Sequence, residues 1–120
     1  MTAVMSQRVA RLRKAVKAFA RERDWEQFHT PKNLAMGLSI EASEVAEIFQ
    51  WLTPAQSARL TRDKREHLAD ELADTYIYLL KLADAYGIDL VDAAARKLAK
   101  NAAKYPVAKS RGSAKKYDQL

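Results

Sequence analysis

The sequence predicts an all-α protein, a helical bundle of four main helices. Its 120 residues include only three glycines and three prolines, whereas the helix formers Ala, Leu, Lys, Arg and Glu are abundant. Apolar residues recur at helical spacing in several segments, and no segment has the pattern of a strand. A chain of this length is large enough for one hydrophobic core, so we expect one domain.

The first predicted elements are a helix over about residues 5–22 and an aromatic loop over residues 23–30. The apolar face of the helix consists of Val9, Leu12, Val16 and Phe19. The loop carries Trp25, Phe28 and His29. Exposed aromatic clusters are typical of binding sites and interfaces, so this loop either contacts a ligand or closes the core.

The second predicted helix begins at Thr30-Pro31, where a hydroxyl cap precedes a proline at the first helical position. It continues to about Trp51. Its main apolar stripe consists of Leu34, Leu38, Val45, Ile48, Phe49 and Leu52. Met36 and Ile40 lie away from this stripe, which indicates a helix buried on both sides and therefore a partner subunit.

Capping signals define the remaining helices. Residues 53–56 have the sequence Thr-Pro-Ala-Gln, which predicts the start of a short helix. A long helix follows over about residues 62–86, and Gly87 ends it. Its predicted stripe consists of Leu68, Leu72, Thr75, Leu79, Leu82 and Tyr86. Asp89 caps the last main helix, over about residues 90–104.

The C-terminal segment is basic. Tyr105-Pro106 closes the last main helix, and residues 110–113 resemble a loop, so we predict a helical domain over residues 1–106 and a mobile basic tail over residues 107–120. Residues 96–120 contain eight lysines and arginines but one aspartate, whereas the rest of the chain is nearly neutral. This charge suggests a polyanionic partner, either a nucleic acid or the phosphates of a nucleotide.

Some classes of protein are excluded by composition. The chain has no cysteine, which rules out disulfides, thiolate zinc sites and cysteine nucleophiles. It has no apolar run as long as a membrane span and no visible signal peptide, so we expect a cytoplasmic protein.

Two acidic pairs are the main candidates for chemistry. Glu41 and Glu44 lie three residues apart on the second helix, and Glu71 and Asp74 have the same spacing on the long helix. Residues three apart share a helix face, and helical angles place Glu41 within the apolar stripe. If the two helices pack together, four acids converge, and either their pKa values rise or a multivalent cation lies among them.

The acidic pairs have three interpretations. Most helical carboxylates are solvated surface charges, but this leaves the position of Glu41 unexplained. A di-iron bundle requires Glu-x-x-His on two helices, and His67 does not follow a glutamate by three residues. Oxygen ligands instead favour a hard cation, Mg²⁺ or Mn²⁺, which prefers substrate phosphates as additional ligands.

These residues resemble the MazG-type all-α nucleoside triphosphate pyrophosphohydrolases, specifically their dCTP pyrophosphatase branch. The acidic signature is Glu41-x-x-Glu44 followed by Glu71-x-x-Asp74. The other shared motifs are Phe19-Ala20-x-Glu22-Arg23-Asp24-Trp25-Glu26-Gln27-Phe28-His29, Pro31-x-Asn33-Leu34, Phe49-Gln50-Trp51, Lys97-x-x-x-Asn101-x-x-Lys104-Tyr105-Pro106 and Lys116-Tyr117-x-x-Leu120. The resemblance covers most of the chain.

The resemblance implies hydrolysis of a nucleoside triphosphate to the monophosphate and pyrophosphate, with Mg²⁺, in a homo-oligomer that is usually a tetramer. The implied metal ligands are Glu41, Glu44, Glu71 and Asp74. The implied base-binding residues are Trp25, Trp51 and Tyr78, with weaker roles for His29 and Asn33. The implied phosphate contacts are Lys97, Asn101 and Lys116. Glu44 is the favoured general base and Glu41 or Glu47 are alternatives, while attack at the α or the β phosphorus stays open.

The expected substrate is a dNTP, either dCTP or a modified pyrimidine nucleotide. One departure concerns the base, because Val16 stands where animal members carry a histidine on the first helix. A broad-specificity nucleotide pyrophosphatase is therefore an alternative. A basic helical nucleic-acid-binding module and a purely structural bundle are the rival classes, and neither explains the paired acids.

Overall fold

A computed structural model describes residues 3–120, with side chains from residue 7 onwards. Six α-helices follow one another along this part of the chain, and it contains no strand, which confirms the all-α prediction. The helices are α1 (Ala3–Glu22), α2 (Pro31–Phe49), α3 (Pro54–Ala58), α4 (Arg62–Ala85), α5 (Leu90–Lys104) and α6 (Val107–Ser110). Two short 3₁₀ turns cover Glu26–Phe28 and Tyr117–Gln119.

The helices begin where the capping signals predict. The hydroxyl of Thr30 accepts a hydrogen bond from the backbone N–H of Asn33 at the start of α2. Thr53 and Gln56 form a reciprocal capping box at the start of α3. Asp89 caps α5 in the same manner. Such caps involve residues only three apart, so the local sequence is sufficient to define them.

The chain divides into two compact units, one that ends at Tyr86 and one that covers Gly87–Leu120. In the first unit α4 packs mainly against α2 and also contacts α1. Gly87 has a φ of 64°, a left-handed conformation that favours glycine and ends α4. The predicted boundary between residues 1–106 and 107–120 stays a prediction.

Few side chains are buried in the single chain. Among residues 7–120 the buried apolar side chains are Ala20, Leu34, Leu80 and Ala83. The predicted stripe of α2 is buried or half-buried throughout. The predicted stripe of α4 is wrong in part, because Leu72 is 50% exposed and Tyr86 65% exposed. The middle of α4 is apolar on nearly every side, so periodicity does not identify its inner face.

The predicted C-terminal loop is also partly helical. Ser110, which we placed in a loop, is the last residue of α6. Further along, the ring of Tyr117 contacts Tyr105 at a centroid separation of 6.1 Å, and the Lys104 ammonium lies 4.8 Å from the Tyr117 centroid. None of the helices within residues 3–120 combines the length and the apolar character needed to span a bilayer.

Candidate active site

Three carboxylates converge where α2 packs against α4. Glu41 and Glu44 are one turn apart on α2, and Glu71 lies on α4. One oxygen from each of these side chains lies within 4.8 Å of the other two. The prediction that the acidic pairs meet is therefore confirmed for these residues, and the charges are concentrated in a small volume.

Two oxygens of this cluster lack hydrogen-bond partners. The Oε2 atoms of Glu41 and Glu71 are both buried, and no donor in the described part of the chain reaches them. Buried polar atoms almost always have a partner, so exceptions need an explanation. A cation held between the carboxylates would satisfy both oxygens, and the donor set therefore fits a hard metal ion such as Mg²⁺ or Mn²⁺.

The pKa values of two glutamates in this cluster are raised. Burial raises the pKa of Glu41, and the nearby charges of Glu44, Asp74 and Glu71 raise it further. The pKa of Glu71 is also raised, mainly because a protonated carboxyl here could share a hydrogen bond with Glu44, and also because the group is partly desolvated. Without a cation, the folded protein therefore holds protons here more tightly than isolated glutamates do.

His67 contacts the carboxylate of Glu71. Its Nε2 lies 3.2 Å from Oε1 of Glu71, one helical turn away on α4. This contact lowers the pKa of Glu71 against the larger raising effects. It also occupies Oε1, so Oε2 is the unpartnered oxygen of this carboxylate.

A cavity of about 480 Å³ adjoins the acidic cluster and combines aromatic, apolar and ionisable side chains. Its lining residues are Ala15, Val16, Phe19, Trp25, His29, Glu41, Asp74, Ile77, Tyr78 and Lys81. Asp74 is not one of the three clustered carboxylates, but its charge acts on Glu41 from the same cavity. The aromatic loop, α1, α2 and α4 thus enclose one space with acids at its edge.

Tyr78 is placed in this cavity by a close approach of α2 to α4. A Cβ atom added to Gly37 would lie 2.8 Å from both Cδ1 and Cζ of the Tyr78 ring, and closer still to Cε1. Any larger residue at position 37 would therefore meet the ring. Gly37 is required here for the space that it leaves.

Trp51 lies outside the cavity of Trp25 and Tyr78. It is 86% exposed and lines a second cavity of about 590 Å³, together with Glu44, Glu47, Lys64 and His67. Within the described chain it does not line the cavity of Trp25 and Tyr78. The carboxylate cluster lies between the two cavities, because Glu41 lines one and Glu44 with Glu71 lines the other.

His29 and Asn33 have different surroundings. The Nδ1 of His29 lies 3.3 Å from Nζ of Lys81, and its ring meets that of Trp25 edge to face at 6.4 Å. The amide Nδ2 of Asn33 donates to the backbone oxygen of Phe28 at 2.9 Å, which fixes the aromatic loop to the start of α2. Asn33 therefore has a positioning contact within the chain.

Three predicted phosphate contacts, Lys97, Asn101 and Lys116, belong to the second unit. Lys97 and Asn101 are one turn apart on α5, and Lys116 precedes the C-terminal 3₁₀ turn. Their roles stay predictions.

Sequence reasoning missed Lys81 and Gly37. Lys81 is separated from His29 by 52 positions, and no local motif reports that contact.

Glu26 precedes His29 by three residues, the spacing required by a di-iron site, but this pair spans a 3₁₀ turn and not a bundle helix. The di-iron interpretation is not supported by this pair.

Comparison with known proteins agrees with the predicted family and with the fold. A sequence model of the MazG-like family matches residues 37–120. The chain is 44% identical over 111 residues to dCTP pyrophosphatase 1 from Rattus norvegicus, covering 91% of the chain and 65% of the rat protein. It is 41% identical to dCTP pyrophosphatase 1 from Homo sapiens, again over 91% of the chain and 65% of the relative. The chain thus spans just under two thirds of the length of these relatives.

A solved structure is similar along most of its length. A pyrophosphatase from Archaeoglobus fulgidus DSM 4304 superposes with a TM-score of 0.78 at 38% sequence identity. The superposition covers 82% of this chain and 93% of the archaeal chain. On this combined evidence, the chain belongs to the MazG-like family.

Proposed function

We propose that this protein is a nucleoside triphosphate pyrophosphohydrolase that converts a dNTP, dCTP or a modified pyrimidine nucleotide, to the monophosphate and pyrophosphate. The observation that carries the proposal is the convergence of Glu41, Glu44 and Glu71 beside a cavity lined by Trp25 and Tyr78. The names of the rat, human and archaeal relatives support the same reaction class. Such an activity would remove unwanted nucleotides from the cellular pool.

The metal would be Mg²⁺, with Mn²⁺ as a substitute, held by Glu41, Glu44, Glu71 and Asp74. The unpartnered Oε2 atoms of Glu41 and Glu71 support this assignment for two of the ligands. When bound, the ion would neutralise phosphate charge and lower the pKa of a coordinated water. The carboxylates would hold it beside the cavity, so that the phosphates would lie near the acids and the base near Trp25 and Tyr78.

The aromatic residues would bind the base. Trp25 and Tyr78 offer ring surfaces within one cavity, and stacking of a base on such a ring contributes roughly 1–3 kcal/mol. Trp51 is exposed in the single chain and would reach a base only from a neighbouring subunit. Lys97, Asn101 and Lys116 would contact phosphates or close the site.

A carboxylate would take the proton from the attacking water. We assign this role to Glu44, whose carboxylate acts electrostatically on both Glu41 and Glu71. Glu41 and Glu47 are the alternatives.

The active protein would be a homo-oligomer, which we propose to be a tetramer. Met36 and Ile40 on α2 are 54% and 58% exposed, and Leu72 on α4 is 50% exposed. Large apolar side chains in such number on main helices favour a subunit interface. The position of Trp51 also favours one.

Product analysis tests the proposal. The protein is incubated with Mg²⁺ and each nucleotide, including 5-methyl-dCTP, and the products are followed by phosphorus NMR. We expect a monophosphate and pyrophosphate, with pyrimidine nucleotides consumed fastest. A broad-specificity enzyme would consume all nucleotides at similar rates, and the apolar Val16 in the cavity wall is the observation that favours this second candidate.

A further inference from the structure

We propose that Lys81, oriented by His29, determines base specificity by donating a hydrogen bond to an acceptor on the nucleotide base. This inference rests on the proposed function and assigns a role to a residue that none of the motifs contains. Its basis is that Lys81 lines the cavity of Trp25 and Tyr78, with its ammonium 5.9 Å from the centroid of the Tyr78 ring.

Lys81 is a partly buried cation with few partners. Its one hydrogen-bond partner among the side chains described, those of residues 7–120, is Nδ1 of His29, at 3.3 Å. No carboxylate in that range forms an ion pair with it, and the nearby Asp84 is bound by Arg13 at 2.7 Å. Burial accordingly lowers the pKa of Lys81. An ammonium has three protons to donate, so two stay available after the contact with His29.

His29 fixes the direction of the lysine. Because an ammonium can only donate, Nδ1 of His29 is the acceptor and its ring proton lies on Nε2. Burial and the charge of Lys81 lower the pKa of His29, which favours this neutral form. The edge contact with Trp25 holds the ring in place. Both residues line the cavity, so we infer that it has two neighbouring donors, the Lys81 ammonium and the His29 Nε2–H.

The order of groups along α4 matches the order of groups in a nucleotide. Glu71 and Asp74 come first, Tyr78 follows, and Lys81 lies seven residues beyond Asp74, about 10 Å along the helix axis. The ammonium lies 5.9 Å from the centroid of the Tyr78 ring. With phosphates at the acids and a base beside Tyr78, Lys81 lies at the base edge and not at the phosphates.

Two adjacent donors select a base with adjacent acceptors. The N3 and O2 atoms of cytosine form such an edge, whereas thymine and uracil present an N3–H donor between their two carbonyls. A donor that faces this N–H would leave both groups unpaired, and such mismatches reduce binding substantially. The other wall residues near Lys81 include the apolar Val16 and Ile77, which add no competing hydrogen bond.

Substitution of Lys81 tests this role. Lys81→Met removes the donors with little change in length, and we expect a roughly 10- to 100-fold fall in kcat/KM for dCTP. Rates for the other nucleotides should change much less, so the preference among bases should collapse. The effect should lie in KM, because the contact is made in substrate and transition state alike. Lys81→Arg, which keeps donors, should retain part of the preference.

Lys17 provides the matched control. It is an exposed lysine that lines a smaller neighbouring cavity with Lys81 but does not line the cavity of Trp25 and Tyr78. Lys17→Met should leave the ratio of kcat/KM values unchanged. Circular dichroism checks that each variant is folded, and Lys81→Leu, which also lacks a donor, replaces Lys81→Met if the latter is not.

Binding of monophosphates separates this inference from the proposed function. Calorimetry with dCMP and dTMP needs no turnover, and we expect the preference for dCMP to be lost in Lys81→Met. An unchanged dCMP preference, or an equal loss of rate for every nucleotide, would overturn the role of Lys81. A wild-type protein that binds dCMP selectively but hydrolyses no triphosphate would overturn the proposed function alone.

Discussion

Glu41 places a carboxylate within the apolar stripe of α2, where a single charge is costly. Its Oε2 is buried without a partner, and the surrounding acids raise its pKa. Removing such a charge often stabilises a protein, because functional sites retain groups that the fold alone would not favour. At this position stability and function should therefore be in conflict.

Replacing Glu41 should stabilise the metal-free protein. The raised pKa means that the folded state binds more protons than the unfolded state, so this residue lowers stability as pH rises above the unfolded value of 4.5. Glu41→Gln should therefore raise Tm by a few degrees at neutral pH without divalent ions. The difference should vanish below the unfolded pKa, where both states are protonated.

Comparing the Tm of Glu41→Gln with that of the wild type isolates the titration of Glu41 from that of other residues. The pKa values of His29 and Lys81 are lowered, so these two residues reduce the stability of the folded state as pH falls. This pH dependence is opposite to that of Glu41. Because both proteins contain these residues, their effects cancel in the difference. Glu47→Gln, at an exposed position on the same helix, is the control. A lower Tm for Glu41→Gln at neutral pH would contradict the account of this cluster.

At the scale of elements, the pairing of α2 with α4 creates both parts of the site. The carboxylates of Glu41, Glu44 and Glu71 meet where the two helices pack. Gly37 lies one turn before Glu41 on α2, and because it has no side chain, the Tyr78 ring fits against it. The spacing of the two helices is therefore coupled to the shape of the cavity. A change at Gly37 should act on stability and on nucleotide binding together.

Gly37→Ala tests this coupling. Alanine favours the helix by about 1 kcal/mol over glycine, but overpacking against the Tyr78 ring costs about 1–3 kcal/mol. We expect a net loss of stability in urea unfolding and weaker nucleotide binding. In a Tyr78→Ala background the same substitution should be neutral or stabilising. Equal effects of Gly37→Ala in both backgrounds would show that the two residues are not coupled.

At the scale of the whole molecule, the exposed apolar surface is the basis on which we propose that chains associate. The buried core of the described single chain is small, while Met36, Ile40 and Leu72 are about half exposed. Sedimentation velocity should therefore detect an oligomer at micromolar concentration. Replacing Met36 and Ile40 with glutamate should dissociate it, and a monomer in the unaltered protein would contradict this expectation.

The sequence was most informative where interactions are local or where a buried acid is conspicuous. The caps at Thr30, Thr53 and Asp89 and the meeting of Glu41 with Glu71 followed from short motifs and helical angles. The exposure of Leu72 and the contact of Lys81 with His29 did not, because both depend on how distant segments pack. Tertiary packing alone determines which side of an all-apolar helix faces inward.

We propose that the acidic cluster between α2 and α4 is the hydrolytic centre, and the Glu71→Gln variant tests this role most directly. This change keeps the shape of the side chain but removes a charge and a buried oxygen that we propose to be a metal ligand. We expect dCTP turnover with Mg²⁺ to fall by about 100-fold or more while helix content is unchanged. Glu66→Gln, at an exposed position on the same helix, should retain full activity. Full activity in Glu71→Gln would contradict the account.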